Sequence, residues 1–75
     1  MQASLTDIVA YLDRFGIRPS AQRIAIMGYL MDNRVHPSVD DIYNGLLAEN
    51  PTLSRTTVYN TLWLFAEAGA IEVLT

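Results

Sequence analysis

The sequence contains no cysteine and no lysine. The first absence excludes disulfides and thiolate metal sites within the chain. The second leaves arginine as the only strong cation: Arg14, Arg18, Arg23, Arg34 and Arg55 stand against 8 acidic residues, for a net charge of -3 and a pI near 4.7. A basic domain is the ordinary footprint of a nucleic-acid binder, so this balance is unusual for one. Net charge governs long-range attraction, however, whereas docking depends on where the charges lie. No apolar run approaches the ~20 residues that span a bilayer, and the opening MQASLTDIV has neither the basic nor the apolar region of a signal peptide. The chain therefore reads as soluble and cytoplasmic, with no membrane partner. Its glycines, Gly16, Gly28, Gly45 and Gly69, are isolated, and neither a phosphate-cradling loop nor a nucleophile-base arrangement is visible, which argues against an enzyme.

What the sequence does have is apolar content, 51% over 75 residues. A domain of this size buries only about 60% of the surface its unfolded chain exposes, and a dense core compensates for that. The chain is expected to be one domain, residues 1–75.

Caps and periodicity predict four helices and a strand. Ser4, with Asp7 three residues on, opens a helix carrying Leu5, Ile8, Leu12 and Phe15 on one face and stopping at Gly16. Ser20 caps a second, with Ile24, Met27, Leu30 and Met31 inward, ending near Asn33. After His36-Pro37, Ser38 and Asp41 signal a third helix, with Ile42, Tyr43 and Leu46, which Asn50-Pro51 ends. Ser54 caps the fourth, through to Gly69, and AIEVLT then alternates as a half-buried strand. Helices joined by a short turn and followed at once by a strand give the order of a mainly α winged helix-turn-helix. A lone strand has no ladder partner, so the wing reads as truncated and the chain as the N-terminal part of a longer protein.

The fourth helix opens unusually. In SRTTVYNTLWLF, advancing ~100° per residue places Val58, Leu62 and Phe65 inward and Thr56, Thr57 and Asn60 on the opposite side, with Tyr59 and Trp63 at the border. Short polar side chains at the start of a recognition helix let the backbone approach a major groove. Thr bonds base edges or phosphate, Asn suits adenine, and Tyr offers a ring and a donor. The same residues also suit a plain helix start, where Thr competes for local hydrogen bonds and a border Tyr packs.

The run HPSVDDIYNGLLAENPTLSRTTVYNTLWLFAEAGAIEVL, with the upstream IRPSAQRIAIMGYL, resembles the DNA-binding domain of the ferric uptake regulator (Fur) family, in particular its peroxide-sensing repressor branch. The resemblance rests on the His-Pro, the acidic pair before Ile-Tyr, the Thr-Val-Tyr, the Glu-Ala-Gly and the upstream Gln-Arg, and runs from about Ile17 to the end. It implies a homodimeric, metal-responsive transcriptional repressor whose helix 54–69 reads an A·T-rich DNA operator. Carried over by position, Tyr59 and Asn60 face the major groove, Arg55, Thr56 and Thr57 lie at its entry, and Arg18 and Gln22 flank the backbone. The dimerisation and metal-sensing domain would follow Thr75. The alternative from another class is a winged-helix protein-interaction domain, which the acidic pI and exposed Trp63 and Leu64 would suit.

His36 is the single histidine. Read alone, a loop histidine beside a proline is a solvated turn residue. The resemblance implies instead that it is the one ligand this domain gives to an Fe, Mn or Zn site completed elsewhere in a full-length protein. One imidazole does not make a site, so no metal is expected in the 75-residue chain itself. Asp40 and Asp41 point about 100° apart on a helix and cannot chelate one ion together; Asp41 is read as a capping acid.

Overall fold

A computed structural model describes residues 3–33 and 36–72. They form four helices: α1 Leu5–Arg14, α2 Ala21–Asp32, α3 Val39–Leu46 and α4 Arg55–Ala68. Each starts at the predicted serine. Ser4, Ser20, Ser38 and Ser54 all have extended backbone, and each side-chain oxygen accepts the N–H three residues on, so each covers one of the donors a helix start leaves open. At Ser38 the box is complete, since the Asp41 carboxylate accepts the Ser38 N–H at 2.9 Å.

Two helices end alike. Gly16 (φ 71°) and Gly69 (φ 83°) adopt the left-handed conformation, and the next residue's N–H reaches back five positions, Ile17 to Leu12 and Ala70 to Phe65. This reversal drives the residue after the glycine into the core, and both Ile17 and Ala70 are buried. α3 ends a turn before the predicted Asn50, whose side chain instead donates to the Leu46 carbonyl at 3.0 Å and closes the helix from outside.

α2 is the hub, packing against α1, α3 and α4, while α3 also packs against α4. The core is built from Ile8 and Leu12 of α1, Ile26 and Met27 of α2, Ile42 of α3, and Val58, Leu62 and Phe65 of α4, with Leu53 sealing the α3–α4 connection. Two sequence expectations change here. Leu5 is 64% exposed rather than inward, because it is the first residue of α1, a full turn before Ile8, where coverage begins. On α2 the fully buried residues are Ile26 and Met27, with Ile24, Leu30 and Met31 only half-buried. A helix with neighbours on three sides buries an arc wider than one stripe.

The expected strand is not found where it can be checked. Ala70 and Ile71 form a bend, Glu72 is irregular, and Val73, Leu74 and Thr75 lie outside the described residues. The bend is fixed by the Tyr11 hydroxyl, which donates to the Ala70 carbonyl at 2.5 Å.

Gly45 offers a packing test. An added Cβ there would lie 2.5 Å from Tyr29 Cε2 and 3.1 Å from Cζ, so the edge of the ring would have to move. Alanine is favoured over glycine within a helix by about 1 kcal/mol, but overpacking costs about 1–3 kcal/mol. Gly45→Ala is therefore expected to lower stability by about 1 kcal/mol in urea unfolding, and to raise it in a Tyr29→Ala background. Stabilisation with Tyr29 in place would show that the ring is free to swing away.

Candidate nucleic-acid interface

The exposed side of α4 forms the candidate site. Val58, Thr61, Leu62 and Phe65 are buried, which fixes the helix rotation and turns Thr56, Tyr59 and Asn60 outward. On α4, Thr61 is the buried residue that helical periodicity was not used to place. Its place between Val58 and Leu62, at i+3 in the apolar spacing, was the available signal. Tyr59 is 52% and Trp63 47% exposed, their rings meeting edge-on with centroids 6.3 Å apart one turn along the helix. Leu64 is half-buried rather than exposed.

Thr57 differs from its neighbours. It is half-buried, its N–H donates to Ser54 Oγ at 3.0 Å, and its hydroxyl shares a 2.9 Å hydrogen bond with the same oxygen. It is thus engaged in the cap.

Arg55, the first residue of α4, reaches back over α3. Its Nε donates to Asp40 Oδ1 at 2.6 Å and its guanidinium carbon lies 4.4 Å from the Tyr43 ring centroid. The hydrogen bond to Asp40, with the carboxylate's charge adding to it, pushes the Arg55 pKa up from its ordinary value. Asp40 and Tyr43 as partners of Arg55 escaped the sequence reading, because nothing in residue spacing links positions 15 apart across a turn.

Arg18 and Gln22 stand at the entry to α2. Arg18 is exposed, its carbonyl accepting from Arg23 Nη1 at 2.9 Å, and Gln22 is half-buried in the first turn. Among the described residues neither shares a hydrogen bond or ion pair with the α4 arc.

His36 is exposed, beside an open depression of about 200 Å³ that it lines with Leu30, Leu62, Ile71 and Glu72. Among the described residues no three of His, Cys, Asp or Glu are placed to hold a metal ion. His36 can donate one nitrogen, but the donor set present does not fit a resident metal. Titration of the 75-residue chain with Mn, Fe or Zn is expected to give only weak binding, of roughly millimolar order. Tight stoichiometric uptake by calorimetry would contradict this.

Residues 14–75 match the model of the ferric uptake regulator family. The chain belongs to the ferric uptake regulator family. It is 41% identical over 71 residues to the peroxide operon regulator of Bacillus subtilis (strain 168), covering 95% of this chain and 49% of that protein. It is 37% identical to the peroxide-responsive repressor PerR of Staphylococcus aureus (strain Mu50), covering 100% of this chain and 51% of that one. The chain thus spans about half the length of the curated relatives it matches. A solved structure concerning peroxide sensing and gene regulation by PerR from Streptococcus pyogenes superimposes with a TM-score of 0.72 at 31% identity, covering 92% of this chain and 48% of that one. The four helices accordingly have the mainly α winged-helix fold of the Fur family's N-terminal domains. No helix among the described residues is long and apolar enough to cross a membrane.

Proposed function

We propose that the chain is the DNA-binding domain of a metal-responsive transcriptional repressor of the peroxide-sensing kind, and that α4 reads the major groove of an operator. The observation that carries this reading is the division of α4: Val58, Leu62 and Phe65 are almost fully buried, while Thr56, Tyr59 and Asn60 form an exposed arc in its N-terminal half. Short donors and acceptors beside an aromatic ring suit base edges and thymine methyls. In a homodimer, two such helices would address two half-sites. An Fe, Mn or Zn site in a protein of the relatives' length would take His36 as one donor, with the rest from outside this chain.

A protein-interaction role is the second reading, favoured by the exposed Tyr59 and Trp63 and by the net charge of -3. Selection from a randomised duplex library at low salt separates the two, followed by titration of the recovered and random duplexes. Arg18→Ala is expected to weaken both about equally and to reduce the slope of log affinity against log salt by about 1, the mark of a phosphate contact. Failure of the 75-residue chain to enrich any sequence would favour the protein-interaction reading.

A further inference from the structure

Arg55 is held at two places and free at a third. Its Nε is committed to Asp40 and its guanidinium carbon sits over the Tyr43 ring, both partners contributed by α3, where positions i and i+3 lie on one face. Among the described residues the two terminal amino groups donate no hydrogen bond within the chain, and the Arg55 side chain is 59% exposed. A long, rotamer-rich side chain is thus ordered before it meets anything, with its two terminal amino groups still without a hydrogen-bond partner among the described residues.

We propose that Arg55 is a base-reading residue selective for guanine, with Asp40 and Tyr43 as its positioning residues; this rests on the reading of α4 as a DNA-recognition helix. The other use for an exposed arginine is a phosphate contact, and the geometry disfavours it. The Asp40 carboxylate at 2.6 Å offsets part of the charge that would draw the guanidinium to a phosphate and adds a like charge beside one. A base edge carries no such charge, so directional donors matter most there. Guanine presents two acceptors, O6 and N7, on one major-groove edge, matching the two terminal amino groups of an arginine fork. Adenine pairs N7 with a donor, cytosine presents a donor, and thymine offers one acceptor beside a methyl, so none can receive both. Ordering by the carboxylate and the ring lowers the entropy lost on contact and fixes the fork's direction.

The test is a selection from a randomised duplex library by the wild-type chain and by Arg55→Ala, Asp40→Asn, Tyr43→Leu and Tyr43→Phe, each first shown by melting to be folded. The wild type is expected to enrich a guanine at one fixed position. Replacing it by 7-deazaguanine, which lacks the N7 acceptor, should weaken wild-type binding about 10-fold and leave Arg55→Ala indifferent. Asp40→Asn and Tyr43→Leu should lose most of the guanine preference, and Tyr43→Phe, which keeps the ring, should retain it. A guanine preference that survives Arg55→Ala, or an Arg55→Ala loss equal for all sequences, overturns the assignment of Arg55. Undiminished preference in both Asp40→Asn and Tyr43→Leu overturns the positioning role alone. Enrichment of a motif lacking guanine refutes the inference while leaving α4 as a reader, whereas no enrichment at all removes both.

Discussion

Phe65→Ala is expected to lower the stability of the domain by about 3–5 kcal/mol. Phe65 has no exposed surface and is among the largest fully buried side chains. It lies on the same arc of α4 as Val58 and Leu62, and its carbonyl accepts the Ala70 N–H at 2.9 Å as the helix reverses at Gly69. Removing the ring takes away both its transfer free energy and the contacts of the atoms around it, in a core with few other large residues. At about 0.05–0.15 kcal/mol per residue, a domain of this length has roughly 4–11 kcal/mol in total, so the loss is a large share of it. Urea unfolding followed by circular dichroism would show a much lower midpoint, with much of the population unfolded at 37 °C. A loss under about 1 kcal/mol would mean that the neighbouring helices collapse onto the space, contrary to the close packing of small cores.

Asn60→Ala is expected to have the largest effect on recognition. Asn60 is exposed, next to Tyr59 and one turn after Thr56, so its truncation leaves the core packing of α4 untouched. If it bonds a base edge, the variant loses roughly 1–3 kcal/mol on the selected duplex and almost nothing on random DNA. That ratio separates base reading from the uniform loss expected of Arg18→Ala. Thr57→Ala is a poorer probe, since the Thr57 hydroxyl shares a hydrogen bond with Ser54 Oγ and truncation also loosens the cap. An unchanged ratio of selected to random affinity in a folded Asn60→Ala variant would remove Asn60 from the base contacts, and the same result in Arg55→Ala as well would remove α4 from the role of reader.

The helices were legible because their signals are local. Ser4, Ser20, Ser38 and Ser54 each act on an N–H three residues away, and Gly69 supplies a backbone conformation at one position. Such information sits within one turn of chain and needs no knowledge of the fold. Burial was less legible where it depends on how many neighbours an element has: a single stripe on α2 would suit one partner, but α2 has three. Helical periodicity, with Val58 and Leu62 inward, puts Thr56, Thr57 and Asn60 outward and Tyr59 at the border; Thr56, Tyr59 and Asn60 are exposed, but Thr57 is half-buried because its hydroxyl and N–H are drawn into the Ser54 cap. The grip of Asp40 and Tyr43 on Arg55 does not follow from periodicity, because it depends on the angle between α3 and α4, set by the packing of both helices on the core and by Leu53 in their connection.

The hydrogen bond from Tyr11 to the Ala70 carbonyl joins residues 59 apart in the sequence, whereas the chain-adjacent helix pairs α1–α2, α2–α3 and α3–α4 all pack directly. Contacts between neighbouring elements can form early and rapidly; a closure spanning most of the chain carries the largest loop entropy and belongs to the end of folding. The four helices can thus assemble before that clasp shuts. An interaction absent from the transition state governs how long the folded molecule lasts rather than how fast it forms. A clasp of this kind, closed last, bears on the lifetime of the native state.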